Sequence, residues 1–536
     1  MTEAPLKHFG WGRVGEGLSE AEEKSLLDRY RRLFGVADFP QVKPPPLAEI
    51  RVRPPRLSVP AALRSYARDD HDDRVAHTYG KAFPEYVRGL LGDYEGAPDV
   101  VAYPRSEAEV AAVIAWAGDA GALLAPFGAG SGVVGGADCS LDGGPYKGAI
   151  SLDLSRLGRV LEVDHTSRTA RIEAGIFGPA LEAQLKPHGL TLRHFPQSFP
   201  YSTLGGWIAT RSGGHFATLY THIDDLVESL RVLTPMGAIE TRRLPGSGAG
   251  PAPDRLFIGS EGILGVITEA HMRLQERPRF RAGGALSFPD FFAAARGVRA
   301  LTQAGLFPSN CRILDPQETQ NNGAGDGRSA LMVLAFESGD HPVEAAFARA
   351  LECCAEEGGR QEAPELADAH REGAAGRWRE AFIRMPYNRE RLIERGIITD
   401  TVETAITWDR FEALHDAVKK ATLAAIREAT GREGQVTCRF THAYPDGPAP
   451  YFSIHAQGAH GRLIEQWRQI KCAGSEAIIA SGGTITHHHA VGRDHRPWYD
   501  KERPELFAAA LKAAKRALDP QGILNPGVLI DPEPAR

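Results

Sequence analysis

From Pro126 to Gly136 the chain reads Pro-Phe-Gly-Ala-Gly-Ser-Gly-Val-Val-Gly-Gly, and this run limits what the surrounding residues can fold into. Each glycine placed inside a helix or strand costs about 0.5–1 kcal/mol relative to alanine, so the run must be a loop. The short apolar stretch Leu123-Leu124-Ala125-Pro126-Phe127 reads as the strand that delivers it. Glycine admits positive φ and leaves successive N–H groups bare. Such a nest holds a diphosphate without basic side chains. The loop has no GK[ST] ending, so it is not a Walker A loop. No acidic residue stands where a Rossmann ribose would need one. The rival reading is a plain tight loop between strands.

The loop sits in an α/β opening. Asp99 to Pro104 reads as a strand, Ser106-Glu107-Ala108-Glu109 as a helix start with capping-box chemistry, and Val110 to Ala117 as the helix body. Further strands are expected at 149–153, 160–164, 169–174, 229–234 and 264–268. Beyond residue 280 the expected pattern is long helices at 289–304, 341–357, 408–429 and 503–518, with few strands, at 331–336 and 450–455. A chain of 536 residues implies two or three domains. The boundaries read as 1–93, mostly helical and interrupted by prolines; 94–280; 281–480; and a C-terminal segment 481–536.

Charge and composition exclude several classes. The formal net charge is −6, which argues against a nucleic-acid partner. Six cysteines without a CxxC pair read as reduced thiols in a cytoplasmic protein. No run approaches the ~18 apolar residues of a membrane span, although peripheral membrane contact stays open. The N-terminus carries no apolar signal core, and the C-terminal Pro-Glu-Pro-Ala-Arg is not a peroxisomal address.

Three more segments bear chemistry. Gln197-Ser198, then Ser202-Thr203-Leu204-Gly205-Gly206-Trp207, with Thr210-Arg211-Ser212, sets small hydroxyls between glycines around an apolar interior. Such a segment suits close approach to a planar ligand, or is a surface loop. Glu261-Gly262-Ile263-Leu264-Gly265-Val266-Ile267 is a glycine-bounded turn entering a buried strand. Gly483-Thr484-Ile485-Thr486-His487-His488-His489-Ala490-Val491-Gly492 holds three consecutive histidines. They suit proton transfer near neutral pH, a metal, or merely an exposed polar loop.

In this order the first three segments resemble the FAD-binding domain of the vanillyl-alcohol-oxidase superfamily, the PCMH-type fold. The resemblance implies an α+β protein: a two-subdomain PCMH-type FAD-binding domain, an α+β substrate (cap) domain, and helical N- and C-terminal segments packing back on the first. It implies FAD contacts from Pro126, Phe127, Gly128, Ala129, Gly130, Ser131 and Gly132. It extends them to Gln197, Ser198, Ser202, Thr203, Gly206, Thr210, Arg211 and Ser212, and to Glu261, Gly262, Gly265, Val266 and Ile267. The diphosphate loop holds neither His nor Cys, so FAD is expected to be non-covalent.

The triple histidine sharpens the match to the alkyldihydroxyacetonephosphate synthase family, whose string has glycine where this chain has Ala490. Thr441-His442-Ala443-Tyr444 to Pro450-Tyr451-Phe452-Ser453 resembles the strand of that family's catalytic tyrosine, which falls on Tyr451. Ala381-Phe382-Ile383-Arg384 and Asn310-Cys311-Arg312 resemble segments with substrate-binding and activity-critical arginines. The resemblance implies catalytic roles for Tyr451, His487, His488 and His489, and substrate contacts from Arg384 and Arg312. It implies that the acyl group of acyl-dihydroxyacetone phosphate is exchanged for a fatty alcohol in ether-lipid synthesis, without net redox change, by a homodimer with no metal. A bland counterpart exists for each: core packing for Tyr451, a surface salt bridge for Arg384, an anchor for Arg312, backbone contacts for Arg211. A related reading is an FAD-dependent D-lactate- or glycolate-type 2-hydroxy acid dehydrogenase. Its metal-binding pattern is lacking: Ala449 stands where a second histidine would follow His442, and no glutamate precedes His489. A third is a flavin-holding scaffold without turnover.

Overall fold

The computed structural model describes residues 4–140, 144–325, 327–361 and 384–531. Ala381, Phe382 and Ile383, leading to Arg384, and the tail from Pro532 lie outside the described residues.

The first half of the chain contains two sheets. Strands Val100–Ala102, Ala149–Asp153 and Leu123–Phe127 run parallel, with Ala67–Arg68 antiparallel at one edge. Nearly all residues of the three parallel strands are buried, so they read as continuous apolar runs rather than alternation. Helix Glu107–Ala120 covers this sheet. Ser106 Oγ accepts the Glu109 N–H at its start, and Gly121, at φ 63°, ends it. Its buried face is Val110, Val113, Ile114 and Ala117. Each large aliphatic side chain there contributes about 1.5–3 kcal/mol, and a Val113→Asp change would unseat the helix. The second sheet is five-stranded and antiparallel: Val160–Asp164, Thr169–Glu173, Val266–Arg273, Val227–Thr234, Gly237–Glu240. Its strand begins at Val266 rather than Leu264, since Glu261 to Leu264 form the turn before it.

The cap half departs from the expectation of few strands. It is built on a seven-stranded antiparallel sheet ordered Arg360–Gln361, Phe280–Phe288, Ala330–Ser338, Asn310–Leu314, Gln435–Ala443, Pro448–Gln457, Ile397–Glu403. Helices Phe291–Gln303, Glu344–Glu356, Phe411–Thr430 and Leu463–Ala480 pack against it through one large apolar core. The missed strands carry no period-two signal. Gln435–Ala443 is buried at every position although it includes Gln, Thr, Arg and His.

The N-terminal region is less helical than its charge pattern suggested. Helix Glu20–Phe34 is closed by a reciprocal Ser19–Glu22 capping box and ended by Gly35 at φ 64°. Between it and His71 the chain is largely extended. Val491, Val528, Leu529 and Ile530 share a core with Ile172 and Leu264, and Leu524 bridges to Leu124, so the C-terminal segment packs on the first half.

Candidate active site

Between the two halves lies a cavity of about 1400 Å³. Ordinary small-molecule sites hold about 300–1,000 Å³, so there is room for more than one ligand.

One wall is the glycine loop, which leaves the C-terminal end of a parallel strand, where α/β sheets hold ligands. Gly130 has φ 61° and turns the chain back toward the cavity. A Cβ on Gly128 would stand 2.4 Å from Thr203 Oγ1, so the loop can lie on the neighbouring helix cap only as glycine. Among the described residues, no protein acceptor takes the N–H groups of Ala129 to Val133. Cavity-lining donors left open in this way fit a diphosphate. Gln197, Ser198, Ser202, Thr203, Gly206, Thr210 and Ser212, with Gly262, Gly265, Val266 and Ile267, line the same cavity. Thr203 caps helix Leu204–Thr210.

Arg211 is a correction. It caps that helix at φ 52°, and its guanidinium is bound by Asp224 at 2.7 Å, outside the cavity wall. Glu261 lines the cavity, but its carboxylate accepts the N–H groups of Val491 and Gly492 at 2.9 and 2.8 Å. Burial pushes it up to about 7.

The facing wall is the histidine turn, and the residue that shapes it was missed in the sequence. Glu403, with 1% side-chain exposure, ends strand Ile397–Glu403. Its carboxylate accepts the N–H groups of His487, His488 and His489 at 2.8, 3.2 and 3.1 Å, and the Thr486 hydroxyl. The surrounding histidines, His488 foremost, hold it well below the carboxylate range despite burial. Glu403 from the cap and Glu261 from the first half thus clamp one turn from both sides. The clamp holds Ala490 at φ 72°, a region that favours glycine, at a cost of about 1 kcal/mol.

His488 and His489 line the cavity; His487 does not. His487 lies behind them, its Nε2 2.7 Å from Tyr444 Oη and its Nδ1 3.2 Å from His488 Nδ1. Burial holds His489 down at about 3 and His487 well below its usual value, so both are neutral near pH 7. Ring nitrogens of His442, His487 and His488 come within 4.8 Å of one another, close enough for a cation. Two of the nitrogens there are already hydrogen-bonded, His442 Nε2 to the Gly214 carbonyl and His487 Nε2 to Tyr444.

Tyr451 stands opposite both Glu403 and Arg439 in the strand register, so three strands place these side chains in one row. Its ring stacks on His488 at 6.0 Å and meets His489 edge-on at 5.4 Å. Arg439 lies 4.1 Å over the same ring and pairs with the buried Glu318 at 2.7 Å. Burial raises the Tyr451 phenol, and the Arg439 charge offsets only part of that. The phenol is therefore protonated at neutral pH, whereas a catalytic base would need the opposite shift. Glu318, in the polar run Pro316-Gln317-Glu318-Thr319-Gln320, and Arg439, between Cys438 and Phe440, gave no signal in sequence.

Arg312 lies in the cavity wall, 2% exposed, with its Nη2 3.0 Å from His215 Nδ1. Burial and the nearby Arg439 lower it to about 9. Arg384 also reaches the cavity, but it is held by Glu22 at 3.0 Å and by the Gly17 carbonyl at 2.8 Å. Helix Glu20–Phe34 is thereby pinned beside the helical residues 384–393. Leu18, Leu26, Leu33, Met385, Pro386 and Leu392 of this region line one arm of the cavity, together with the polar Glu22, Ser25, Arg29 and Arg32. The apolar spacing of Leu18, Leu26, Tyr30 and Leu33 was the available signal.

A donor nest on one half facing a histidine wall on the other defines a two-domain, FAD-dependent flavoenzyme. Residues 98–242 match a family model described as an FAD binding domain, and residues 277–529 one for the C-terminal domain of FAD linked oxidases. Alkyldihydroxyacetonephosphate synthase of Dictyostelium discoideum is 30% identical over 487 residues, spanning 87% of this chain and 79% of that protein. The Trypanosoma brucei brucei synthase is 29% identical over 485 residues, with 86% and 78% covered. A solved alkyldihydroxyacetonephosphate synthase structure superposes with a TM-score of 0.79 at 25% identity, covering 97% of this chain and 98% of that one. The chain belongs to the alkyldihydroxyacetonephosphate synthase family.

Proposed function

We propose that this flavoenzyme exchanges the acyl group of acyl-dihydroxyacetone phosphate for a fatty alcohol, forming an ether bond. The observation that carries this reading is the lining of the cavity, which includes the glycine loop and the histidines and also the apolar side chains of the arm beside helix Glu20–Phe34. A small hydroxy acid would leave that arm unfilled.

When bound, FAD supplies a nucleophilic ring for a reaction without net redox change. The N–H groups of Ala129 to Val133 would hold its diphosphate. His488, which faces the cavity, takes the proton from substrate C1. Tyr451, protonated and touching the rings of His488 and His489, donates to the departing carboxylate. The buried Arg312 guanidinium favours an anion near it, since burial and the charge of Arg439, itself paired with Glu318, disfavour its own charge. The substrate phosphate would relieve that repulsion through paired hydrogen bonds. Arg384, engaged by Glu22, serves the wall of the arm instead. The acyl and alkyl chains occupy that arm in turn. The same reading includes a cytoplasmic homodimer and peripheral membrane contact. The exposed Leu506 and Phe507 on helix Glu505–Leu518 offer apolar surface for the latter.

The test is incubation of the FAD-loaded protein with palmitoyl-dihydroxyacetone phosphate and a labelled fatty alcohol. Labelled ether product is expected. Its absence with flavin bound would overturn the reading.

A further inference from the structure

We propose that Tyr444 and His487 form a proton relay that carries the proton taken by His488 from the main cavity to a second cavity on the far side of the histidine turn. This rests on the substrate reading above and adds the route by which its proton leaves.

The second cavity, about 690 Å³, is lined by Tyr444, Gly483, Thr484 and Glu502, and by the charged Arg410 and Lys501. It shares no lining residue with the main cavity. Between the two stands a continuous hydrogen-bonded row. His488 Nδ1 is 3.2 Å from His487 Nδ1, and His487 Nε2 is 2.7 Å from Tyr444 Oη, which is 3.1 Å from Thr221 Oγ1. His488 faces the main cavity and Tyr444 the second. His487 faces neither, so a substrate-contacting role is closed to it. Its chemistry can act only through its two neighbours.

Flavin and a lipid chain would displace water from the main cavity, which leaves the hydrogen-bonded row as a path for the proton. A neutral imidazole that accepts at one nitrogen and donates from the other moves a proton without itself becoming a buried cation. The groups facing His487 allow that state. They are Tyr444, His488, His222 Nε2 at 3.1 Å, the His442 ring at 5.0 Å, and Glu403 at its main-chain N–H. Burial and the neighbouring histidines keep its charged form disfavoured.

The step balances as one proton displaced. The C1–H bond breaks with its electron pair left on carbon, and His488 Nε2 gains the proton. His488 Nδ1, which also lies 3.2 Å from Glu403 Oε2, passes its proton to His487 Nδ1. His487 Nε2–H passes one to the Tyr444 oxygen, and the phenol proton goes to water in the second cavity. No electrons change hands.

The test is exchange of the substrate C1 hydrogen with solvent deuterium, followed by mass spectrometry on FAD-loaded wild type and Tyr444→Phe given palmitoyl-dihydroxyacetone phosphate in D₂O. The variant should exchange about tenfold or more slowly, with flavin content and KM unchanged, and added imidazole should restore the rate. Exchange within about twofold of wild type would overturn the relay. So would a loss that imidazole does not rescue, because Tyr444 would then only pack the turn. No exchange in the wild type itself would sink the substrate reading, and the relay with it.

Discussion

Replacing Glu403 by glutamine tests the histidine wall most directly. The carboxylate accepts three consecutive main-chain N–H groups at 2.8–3.2 Å and the Thr486 hydroxyl. A hydrogen bond to a charged group contributes about 1.5–3 kcal/mol. Glutamine keeps the shape but offers one acceptor oxygen and turns an NH₂ group toward donors. An NH₂ in the Oε2 position loses two contacts, the His487 N–H at 2.8 Å and His488 Nδ1 at 3.2 Å, a loss of about 3–6 kcal/mol. Only part of that reaches the barrier, since the turn is also held by Glu261 through Val491 and Gly492. With about half of it expressed as displaced His488 and His489, kcat falls about a hundredfold, while KM for the acyl substrate stays near the wild-type value. Steady-state kinetics at saturating FAD measures this. A Glu403→Gln enzyme within about threefold of wild type in kcat would refute the anchoring argument. The pH dependence has a definite sign. The folded-state pKa of Glu403 lies well below the usual 4.5, so its stabilisation is complete above that pH and is lost as pH falls through the folded value. Wild type should lose stability in that acid window, and the glutamine variant should lack that contribution.

Gly128→Ala should lower FAD affinity, because the new Cβ meets Thr203 Oγ1 at 2.4 Å; Thr203→Ala in the same chain should restore part of it, read as flavin retained on desalting. Arg439→Met leaves Glu318 buried without its cation and should cost about 3–5 kcal/mol, seen as a lower urea midpoint. His489, held at about 3 in the folded state, makes stability fall as pH drops from about 6.5 toward 3, since only the unfolded chain binds that proton; the slope approaches 1.4 kcal/mol per pH unit, and His489→Gln should lack it in acid denaturation curves.

The readings that stood on local chemistry needed little from the rest of the molecule. A glycine run can only be a loop, so Pro126–Gly136 and its strand Leu123–Phe127 were legible, as was the helix start at Ser106. The histidine string declared itself by composition. The cap sheet did not, because strands such as Gln435–Ala443 are buried at every residue and carry no alternation to read.

By itself, then, the sequence determined the flavin-facing loop, the histidine turn and the order of the two halves, since each is a property of contiguous residues. Tertiary structure alone decided which charges those loops answer to. Glu403, Glu261 and Arg439 act through partners 83 or more, 230 and 121 positions away. It also turned Arg211 onto Asp224 and Arg384 onto Glu22. The physical reason is desolvation. A buried charge must find its counter-charge or donors wherever the fold brings them, and no spacing along the chain encodes that meeting.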